Sequence, residues 1–573
     1  MKFEKLKIYN FRSVGQEGVT IDFDENNNFY SLIGSNNAGK SNILDALAVV
    51  LGHWKFKKYQ WSEKDFYNCQ IHDSDGKPIK LRIELWLHES SRFFLENVYG
   101  QSDKQQLAGF SFEIKAYEKE TDNHFIGQLK IPDHFAFAPN GETLIIMEAI
   151  KKKGNNNDEA ENVIKRSPHP AYAKDYLYRL GNLYCLDIQD LHKFFNPKGY
   201  SPFADILKNY KKDFPNPTNT IELPVTTDDG VQTKEMTNLK AFEMWSGRIK
   251  SILKTKMLGE IEQKLGENVA KYLGIPSKDF SIGFTVLDFE ELFDELMILN
   301  TKENDCVELP ITKNGAGYLS VLRLAVIETL LSMKEFPNSI FIIDEPEIYL
   351  HPHLERFFYE AIKKLASAGH QFFFSTHSIN FLSFEDYQNV VRVCKAKGST
   401  HKHQPTEEYS LKEVNKLENK FLEKGTKELF FAKKVILTEG KADRIVISYL
   451  LSDLLKIDCN LNSISIVDCG GLGNLSDYKN VCRSLSIGYF PVIDGDNESS
   501  EAATTRSEIL NGLNDENYYQ HPDCLEVSLG LEKGNKKYSK LLELVTGKTK
   551  EQIQTTFPDV QALITKIETF LMA

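Results

Sequence analysis

The sequence contains no long hydrophobic run. No stretch of its 573 residues approaches the roughly 18 consecutive apolar residues that a membrane-spanning helix needs. The first five residues also lack the uninterrupted apolar segment of a secretory signal. We therefore expect a cytoplasmic protein without a membrane partner.

Cysteine is scarce and scattered. The eight cysteines form no C-x-x-C pair and stand near no histidine pair at zinc-binding spacing. This distribution disfavours both a disulfide framework and a structural zinc site, and it predicts reduced thiols.

Positive charge is outnumbered, since the formal net charge is −12. This balance argues against non-specific binding of nucleic acid over the whole surface, although a local basic cleft remains compatible with it. The apolar fraction of 41% and the charged fraction of 26% are those of an ordinary globular protein with a sizeable core. At about 150 residues per domain, the length predicts three or four domains.

Residues 34–41, with the sequence GSNNAGKS, match the phosphate-loop pattern G-x-x-x-x-G-K-[ST]. A strand-like run precedes them and a helix-like run follows, which is the context that the motif requires. In this arrangement backbone N–H groups cradle a polyphosphate, Lys40 reaches its outer phosphates and the Ser41 hydroxyl ligates Mg²⁺. The sequence thus predicts an ATP or GTP site formed by Gly34, Asn36, Asn37, Ala38, Gly39, Lys40 and Ser41.

A second nucleotide element is predicted where the apolar run 339–343 ends in Asp344 and Glu345. A buried parallel strand would deliver Asp344 to the nucleotide-bound Mg²⁺ and Glu345 to the attacking water. Another apolar run, residues 371–374, is followed by His377. Read with these elements, His377 is predicted to sense the γ-phosphate; read alone, it is more often a structural histidine.

Two further apolar runs end in carboxylates in the last third of the chain. Residues 434–438 precede Glu439, and residues 489–493 precede Asp494 and Asp496. Adjacent parallel strands would bring these three side chains together at one edge, within reach of one or two hard cations, Mg²⁺ or Mn²⁺. Taken separately, an Asp-Gly-Asp is equally well a turn.

Four segments, in this order along the chain, resemble the ABC-type ATPase heads of the SMC and Rad50 class. They are IYNFRS at residues 8–13, the phosphate loop, DEPE at 344–347 with LHP at 350–352, and STHS at 375–378. The resemblance implies dimers of heads that sandwich ATP, with a signature segment of the opposite subunit touching the nucleotide.

The candidate signature segment is NGAGYLS at residues 314–320, which offers Gly315 and Gly317 as nucleotide contacts. It departs from the family pattern at Leu319, where a polar residue is usual. A glycine-rich helix N-terminus that serves only packing is the alternative. The insertion between the two ATPase lobes is too short, and lacks the sustained heptads, for a long coiled-coil arm.

The carboxylate-terminated strands resemble a Toprim domain, the metal-binding module of topoisomerases, primases and some nucleases. The resemblance implies that Glu439 is an acid/base and metal ligand, and that Asp494 and Asp496 are metal ligands. Asp443 stands where a second acid occurs. It is one methylene shorter than the usual glutamate, so a role behind the ligands is the alternative.

An SMC-like ATPase followed by a Toprim domain resembles the OLD (overcoming lysogenization defect) family of nucleases, which includes the nuclease subunit of the Gabija anti-phage system. These nucleases use a further acid and a lysine. The resemblance places them at Glu532 as a metal ligand and at Lys536 and Lys537 as catalytic lysines. A solvated basic turn is the alternative for the lysines.

The predicted fold class is α/β, an ABC/SMC-type P-loop ATPase head with an inserted mostly helical region, followed by a Toprim α/β domain. The polar run 395–405 breaks all periodicity and predicts a domain boundary. The predicted domains are an N-terminal ATPase lobe with the Walker A loop (1–150), an inserted helical or dimerisation region (151–305), a C-terminal ATPase lobe with the signature, Walker B and H-loop elements (306–400), and a Toprim nuclease domain (401–573).

The resemblance implies a DNA endonuclease of anti-phage defence that uses ATP and Mg²⁺ or Mn²⁺, with cleavage gated by the ATPase heads. The expected partners are double-stranded DNA, further copies of the chain in a homodimer or higher homo-oligomer, and a defence-system helicase or reverse transcriptase with its RNA. Two alternatives stay open. One is a topoisomerase-like enzyme, which needs a tyrosine nucleophile, and the other is an ATPase sensor or regulatory module that acts with a partner and does not cut.

Overall fold

The computed structural model describes residues 2–52, 59–95, 105–116, 129, 133–141, 143–144, 147–151, 162–166, 182–186, 195, 201–227, 230–253, 263, 300–303, 307–310, 313, 315–332, 338–405, 416–419, 426–495, 500–534 and 537–572. The chain divides into two compact units, one of Met1–Ile188 with Phe336–Ala573 and one of Gln189–Glu335. Within the described ranges, no helix combines the length and the apolar character that crossing a membrane requires.

The strands are numbered in chain order. They are β1 (Phe3–Tyr9), β2 (Val19–Asp22), β3 (Phe29–Ile33), β4 (Lys80–Leu87), β5 (Phe93–Leu95), β6 (Gln105–Leu107), β7 (Gly109–Lys115), β8 (Asp133–Phe137), β9 (Thr143–Leu144), β10 (Met147–Lys151), β11 (Asn162–Arg166), β12 (Leu183–Leu186), β13 (Thr220–Thr227), β14 (Gly230–Thr237), β15 (Asn300–Glu303), β16 (Val307–Pro310), β17 (Ile340–Asp344), β18 (Gln371–Ser375), β19 (Val390–Ala396), β20 (Ser399–His403), β21 (Lys434–Thr438), β22 (Ile464–Asp468), β23 (Gly488–Ile493) and β24 (Tyr519–Gln520).

The α-helices follow the same numbering. They are α1 (Lys40–Val50), α2 (Pro202–Asp213), α3 (Asn238–Leu253), α4 (Ala316–Ser332), α5 (Pro352–Ser367), α6 (Lys441–Tyr449), α7 (Leu472–Ser484), α8 (Ser500–Leu510), α9 (Leu525–Ser528), α10 (Tyr538–Val545), α11 (Lys550–Thr556) and α12 (Pro558–Met572).

The first unit contains an antiparallel sheet in the order β2-β1-β4-β7-β8-β9. Alternation along β1 shows why it forms: Leu6 and Ile8 are buried, whereas Lys5 and Lys7 between and beside them are only partly covered. One face of the sheet therefore packs on the core while the other meets solvent.

A second six-stranded sheet carries the phosphate loop, in the order β12-β17-β18-β3-β19-β20. All neighbours from β12 to β19 are parallel, and their apolar runs are buried on both faces. Helix α1 packs against β4 and β7 of the first sheet and against β17 and β18 of the second. This position between two sheets explains why the helix is apolar nearly all round.

The segment 395–405, predicted from its polarity to break all periodicity, lies mostly in a β-hairpin instead. β19 and β20 pair antiparallel around a turn at Lys397 and Gly398, where φ is 49° and 82°. Positive φ at both central positions matches the twist of a hairpin, and glycine adopts it without strain. The break in periodicity arises because a polar edge strand has the composition of a linker. The domain boundary at this segment stays a prediction.

The C-terminal part of the first unit contains a parallel sheet in the order β22-β21-β23-β24, with helices between its strands. This confirms the predicted β/α alternation. Its core is continuous with the ATPase part, because Ile33 and Val390 pack in one cluster with Leu437 and Val467. The buried Arg392 guanidinium of β19 strengthens the junction by donating to the carbonyls of Ala432, Leu485 and Ser486.

The second unit combines helices with β-hairpins. Helix α2 packs on α4, and α3 packs on the hairpin of β13 and β14. Helix α3, which ends at Leu253, agrees with the helical character predicted for the inserted region. Apart from residue 263, positions 254–299 lie outside the described residues.

Candidate functional site

The phosphate loop lies between the end of β3 and the start of α1, as predicted. Its glycines are required by close contacts. A Cβ atom on Gly34 would lie 2.0 Å from the Val393 carbonyl oxygen, and one on Gly39 would lie 2.4 Å from Thr400 Oγ1. The hairpin of β19 and β20 therefore supports the loop from behind, and Thr400 Oγ1 donates to the Ala38 carbonyl at 3.0 Å.

A cavity of about 470 Å³ opens over the loop. Its wall contains Asn36, Asn37, Ala38, Gly39, Lys40, Ser41 and Asn42 from the loop and α1, together with Glu345 and His377. The structure therefore brings the phosphate loop together with two residues predicted for the same nucleotide from segments more than 300 positions away in the sequence.

Lys40 is held inside this cavity by internal contacts. Its Nζ lies 2.7 Å from His377 Nε2 and donates to the carbonyls of Gly34 and Ser35 at 3.2 and 3.3 Å. Burial lowers the pKa of Lys40, while the charges of Glu345 and other nearby acids oppose that shift. Burial, followed by the charge of Lys40, lowers the pKa of His377 to about 4. His377 is thus neutral at neutral pH and accepts from the ammonium.

Asp344 ends β17 and meets Ser41 across the sheet. Ser41 Oγ donates to Asp344 Oδ1 at 3.2 Å, and the Ser375 hydroxyl donates to the same oxygen. Ser375, at the end of β18, opens the STHS segment, but no role in the site was predicted for it. A serine hydroxyl and a carboxylate at this position are the oxygen donors that Mg²⁺ prefers.

Two glutamates follow Asp344. Glu345 has φ of 49°, and its Oε1 lies 3.5 Å from His377 Nε2. Burial and the charge of Asp344 raise the pKa of Glu345. Glu347 accepts from the His377 backbone N–H at 2.6 Å, and burial raises its pKa to about 7. Glu347 is therefore an acid of the site that the sequence reading had left without a role.

Gly315 and Gly317 lie at the N-terminus of α4, in the second unit. Asn314, the first residue of the predicted signature segment, lies outside the described residues. Leu319 is buried, which accounts for an apolar residue at this position. The contact of the two glycines with nucleotide stays a prediction.

The second site is the C-terminal edge of the last sheet. Glu439 follows β21 and Asp494 follows the adjacent parallel strand β23, as predicted. The Asp494 backbone N–H donates to Glu439 Oε2 at 3.1 Å, while the Glu439 N–H donates to the Val492 carbonyl at 3.2 Å. Both side chains are half-buried.

Asp443 and Asp494 form, with His521, the group of potential metal ligands in the described part of the chain. One ligand atom of each lies within 4.8 Å of the others. Asp443, in the first turn of α6, is buried, and its Oδ1 makes no hydrogen bond. His521 comes directly after β24, which is parallel to β23. The sequence reading missed it because a two-residue strand leaves no periodic pattern.

The glycine of the Asp-Gly-Asp run is needed for packing. A Cβ atom on Gly495 would lie 2.3 Å from the His521 carbonyl oxygen and 2.6 Å from that of Pro522. Its N–H donates to the Asp523 carbonyl at 2.6 Å. Residues 521–523 are thereby held against the carboxylate-bearing strand end.

The other predicted residues of this site fall in different places. Asp496 and Lys536 lie outside the described residues, and Glu532 and Lys537 are exposed. A further acid, Glu526, was not predicted: it is buried, and its Oε1 has no hydrogen-bond partner in the described structure.

Glu526 belongs to the surroundings of the acidic edge. Burial, together with the charges of Glu526 and Asp494, raises the pKa of the Cys524 thiol to about 11. The negative charges of Glu526 and Asp494 thus both disfavour the thiolate, and the thiol stays protonated at neutral pH.

Sequence comparison agrees with this division into two sites. A family model described as AAA ATPase domain matches residues 1–382, and one described as overcoming lysogenization defect protein-like, TOPRIM domain matches residues 430–496.

The relatives are nucleases by name. An OLD nuclease of Thermus scotoductus is 28% identical over 271 residues, which cover 45% of this chain and 51% of the relative. The Old nuclease of Escherichia phage P2 is 24% identical, over 52% and 56% of the two chains. The chain spans about half the length of these two relatives. Endonuclease GajA of Bacillus cereus is 24% identical over 524 residues, or 90% of this chain and 78% of the relative.

Among solved structures, an SMC head bound to the C-terminal winged-helix domain of ScpA is 16% identical, with a TM-score of 0.38, over 73% of this chain and all of that one. The SMC head domain from Thermotoga maritima is 14% identical, with a TM-score of 0.32, over 70% and 99%. The two family matches carry the assignment: the chain belongs to the AAA ATPase domain family and continues into an OLD-like TOPRIM domain, as its phosphate loop and its acidic sheet edge predicted.

Proposed function

We propose that this chain is a metal-dependent DNA endonuclease that cuts at the acidic edge of the TOPRIM sheet and is gated by ATP at the phosphate loop. One observation carries the proposal. Asp443 Oδ1 and His521 Nε2 are buried side by side without a hydrogen bond, next to Asp494 and Glu439. Buried polar atoms of this kind are costly unless a partner satisfies them, and the donor set fits a divalent cation.

Each acid has a distinct role in this proposal. Asp494 and Asp443 hold the ion, and Asp496 and Glu532 extend the ligand set. Glu439 is fixed by the Asp494 N–H, which orients its carboxylate as ligand and as acid/base for the attacking water. A bound divalent ion supplies Lewis-acid stabilisation of the charge that develops on the phosphate oxygens.

The lysines following the acidic edge complete the proposed site. Lys536 and Lys537 offset negative charge on the scissile phosphate. Lys533 is a third candidate, because its Nζ lies 3.1 Å from Asp523 Oδ1. Asp523 belongs to residues 521–523, which pack against Gly495 after the carboxylate-bearing strand. Double-stranded DNA is the proposed substrate, and the basic side chains would bind its backbone rather than read its bases.

The phosphate-loop site binds ATP with Mg²⁺ in this proposal. Ser41 and Asp344 hold the ion, Glu345 polarises the attacking water, and Lys40 exchanges His377 for the outer phosphates. Gly315 and Gly317 contact the nucleotide of a second subunit in a homodimer or higher homo-oligomer.

The gating part of the proposal is supported by contacts inside the first unit. The His377 ring lies 6.4 Å from the Phe431 ring, at the start of the TOPRIM part. A cavity of about 480 Å³ lies between Gly34, Ser35 and His377 on one side and Phe431 and Lys433 on the other. When Lys40 leaves His377 for phosphate, the histidine is free to move against Phe431, so that nucleotide changes the position of the TOPRIM sheet.

Anti-phage defence is the proposed setting, because relatives of this chain carry the names OLD nuclease and Endonuclease GajA. A helicase, or a reverse transcriptase with its RNA, is the proposed kind of defence partner. Both inferences come from the family and not from the site.

The test is incubation of purified protein with supercoiled plasmid and Mg²⁺ or Mn²⁺, with and without ATP. Nicked or linear product that requires the metal and responds to ATP is expected. A covalent protein–DNA adduct would instead establish the topoisomerase-like alternative. ATP hydrolysis without product at any enzyme concentration or metal would contradict the nuclease proposal and favour an ATPase sensor.

A further inference from the structure

His521 occupies a position that the acidic edge alone does not explain. Its side chain is fully buried, its backbone N–H donates to the Ile493 carbonyl at 2.9 Å, and its ring packs edge-on against Tyr519 with centroids 5.0 Å apart. The imidazole is therefore held in one orientation, and its Nε2 faces the carboxylates.

The two ring nitrogens have different environments. Nδ1 lies 3.1 Å from Ser528 Oγ, within hydrogen-bond distance. Nε2 lies 3.4 Å from Asp443 Oδ1, yet neither of these two atoms makes a hydrogen bond. A proton on Nδ1 leaves the Nε2 lone pair directed at a carboxylate oxygen, whereas a proton on Nε2 is poorly aimed for a hydrogen bond.

A cation between the two atoms satisfies both of them. Histidines that bind metals usually donate their other ring N–H to an oxygen nearby, and Ser528 Oγ offers that acceptor here. The three ligand atoms of Asp443, Asp494 and His521 lie close enough together to share one ion.

We propose that His521 Nε2 is a ligand of the divalent ion, so that the site has a mixed nitrogen–oxygen donor set and selects Mn²⁺ over Mg²⁺. Mg²⁺ strongly prefers oxygen ligands, whereas imidazole raises the affinity for transition metals. This inference rests on the proposed function, since it concerns the same site. The competing arrangement is an imidazolium of His521 paired with Asp443, which needs no metal.

The direct test uses electron spin-echo spectroscopy of Mn²⁺ bound to the full chain. A coordinated imidazole gives ¹⁴N modulation of the Mn²⁺ signal. Incorporation of histidine with ¹⁵N in the ring should change this modulation to the ¹⁵N pattern without altering any residue. Bound Mn²⁺ that shows no histidine nitrogen coupling would overturn the inference.

A variant series extends the test to affinity. His521→Gln should bind Mn²⁺ at least about tenfold more weakly and bind Mg²⁺ nearly as before, and Ser528→Ala should weaken Mn²⁺ binding by a similar factor. His353→Gln, at an exposed histidine of the ATPase part, is the matched control and should change neither affinity. Equal losses for Mn²⁺ and Mg²⁺ in His521→Gln would contradict the predicted selectivity.

Asp494→Ala separates this inference from the proposed function. If Asp494→Ala abolishes Mn²⁺ binding and plasmid cleavage while the wild-type signal lacks nitrogen coupling, the nuclease proposal survives and the role of His521 does not. If wild type and Asp494→Ala bind Mn²⁺ equally well, both the nuclease proposal and the proposed role of His521 fail.

Discussion

The two sites of this chain differ in how their polar atoms are satisfied. In the phosphate-loop site, Lys40 is bonded to His377 and to two carbonyls, and Ser41 is bonded to Asp344. At the acidic sheet edge, Asp443 and His521 present buried atoms to each other without a hydrogen bond. The groups predicted to hold the nucleotide and its ion are thus paired within the protein, although Glu347 Oε2 of the same site is also buried without a hydrogen bond. At the acidic edge, the unpaired atoms belong to the proposed metal ligands themselves.

This difference indicates which contacts would have to change when a ligand binds at each site. In the proposed complex, the phosphates and their ion would replace the internal contacts of Lys40 and Ser41, so we expect nucleotide binding to be coupled to movement of His377. At the acidic edge, a metal ion would give a partner to Asp443 Oδ1 and His521 Nε2, which have no hydrogen bond to lose. The phosphate loop is therefore suited to switching and the acidic edge to catalysis.

Asp494→Ala should have the largest effect, and it should impair the acidic edge without impairing the phosphate-loop site. Loss of a proposed central ligand would remove several kcal/mol of stabilisation of the transition state, so the initial rate of plasmid cleavage should fall roughly 10³-fold. ATP hydrolysis should stay within about twofold of wild type, since Asp494 and the phosphate loop follow strands of two different sheets. Asp453→Ala, at an exposed position, is the control, and unchanged cleavage in Asp494→Ala would contradict the assignment.

Lys40→Ala should impair the phosphate-loop site and leave the acidic edge unchanged. Removal of the ammonium that reaches the outer phosphates should weaken binding of a fluorescent ATP analogue on the order of 100-fold. The Mn²⁺ affinity of the acidic edge should not change, because no contact of Lys40 reaches it. Lys64→Ala serves as the exposed control. Parallel losses of nucleotide and Mn²⁺ binding would show that the two sites do not act separately.

Glu347→Gln should change how the free energy of unfolding depends on pH. The pKa of Glu347 is about 7 in the folded chain and near 4.5 when exposed, so the wild type loses stability as pH rises from about 4.5 to 7. Glutamine stays neutral. The free energy of unfolding of the variant minus that of wild type should therefore rise over this window, by on the order of 2 kcal/mol.

The depressed pKa of His377 acts in the opposite direction, because its neutral form is lost as pH falls toward 4; it is common to both proteins and cancels in the difference. Denaturant titrations at pH 5 and 8 measure the effect, with Glu360→Gln, at an exposed site, as the control. A difference that is the same at both pH values would exclude a raised pKa at Glu347.

Thr400→Val should have the smallest effect. The change keeps the shape of the side chain but removes the hydroxyl that donates to the Ala38 carbonyl. One buried hydrogen bond is worth about 1 kcal/mol, so ATP affinity should fall about fivefold without a change at the acidic edge. Thr555→Val, whose exposed hydroxyl bonds only within its own helix, should leave ATP affinity unchanged. Equal ATP affinities for wild type and Thr400→Val would show that the hairpin does not support the loop.

The predictions from sequence succeeded where a motif is contiguous or where a strand ends in an acid. The phosphate loop and the positions of Asp344, Glu439 and Asp494 at strand ends were all readable, since a buried parallel strand has an apolar run with a clear end. The hairpin at 395–405 was not predicted, because its polar edge strand has the composition of a linker. Its Thr400 supports the phosphate loop from a position about 360 residues away, which no local pattern reveals.

The amino-acid sequence specifies the available chemistry: a phosphate loop, acids after apolar strands, and an ATPase part followed by a TOPRIM part. Only the tertiary structure decided which side chains meet. His521 belongs to no motif, and Ser375 belongs to one in which only His377 was given a role. Both join the sites because parallel strands end at one edge of a sheet. Local sequence specifies each strand, whereas the pairing of distant strands depends on packing of the whole core, and that pairing assembles the two sites.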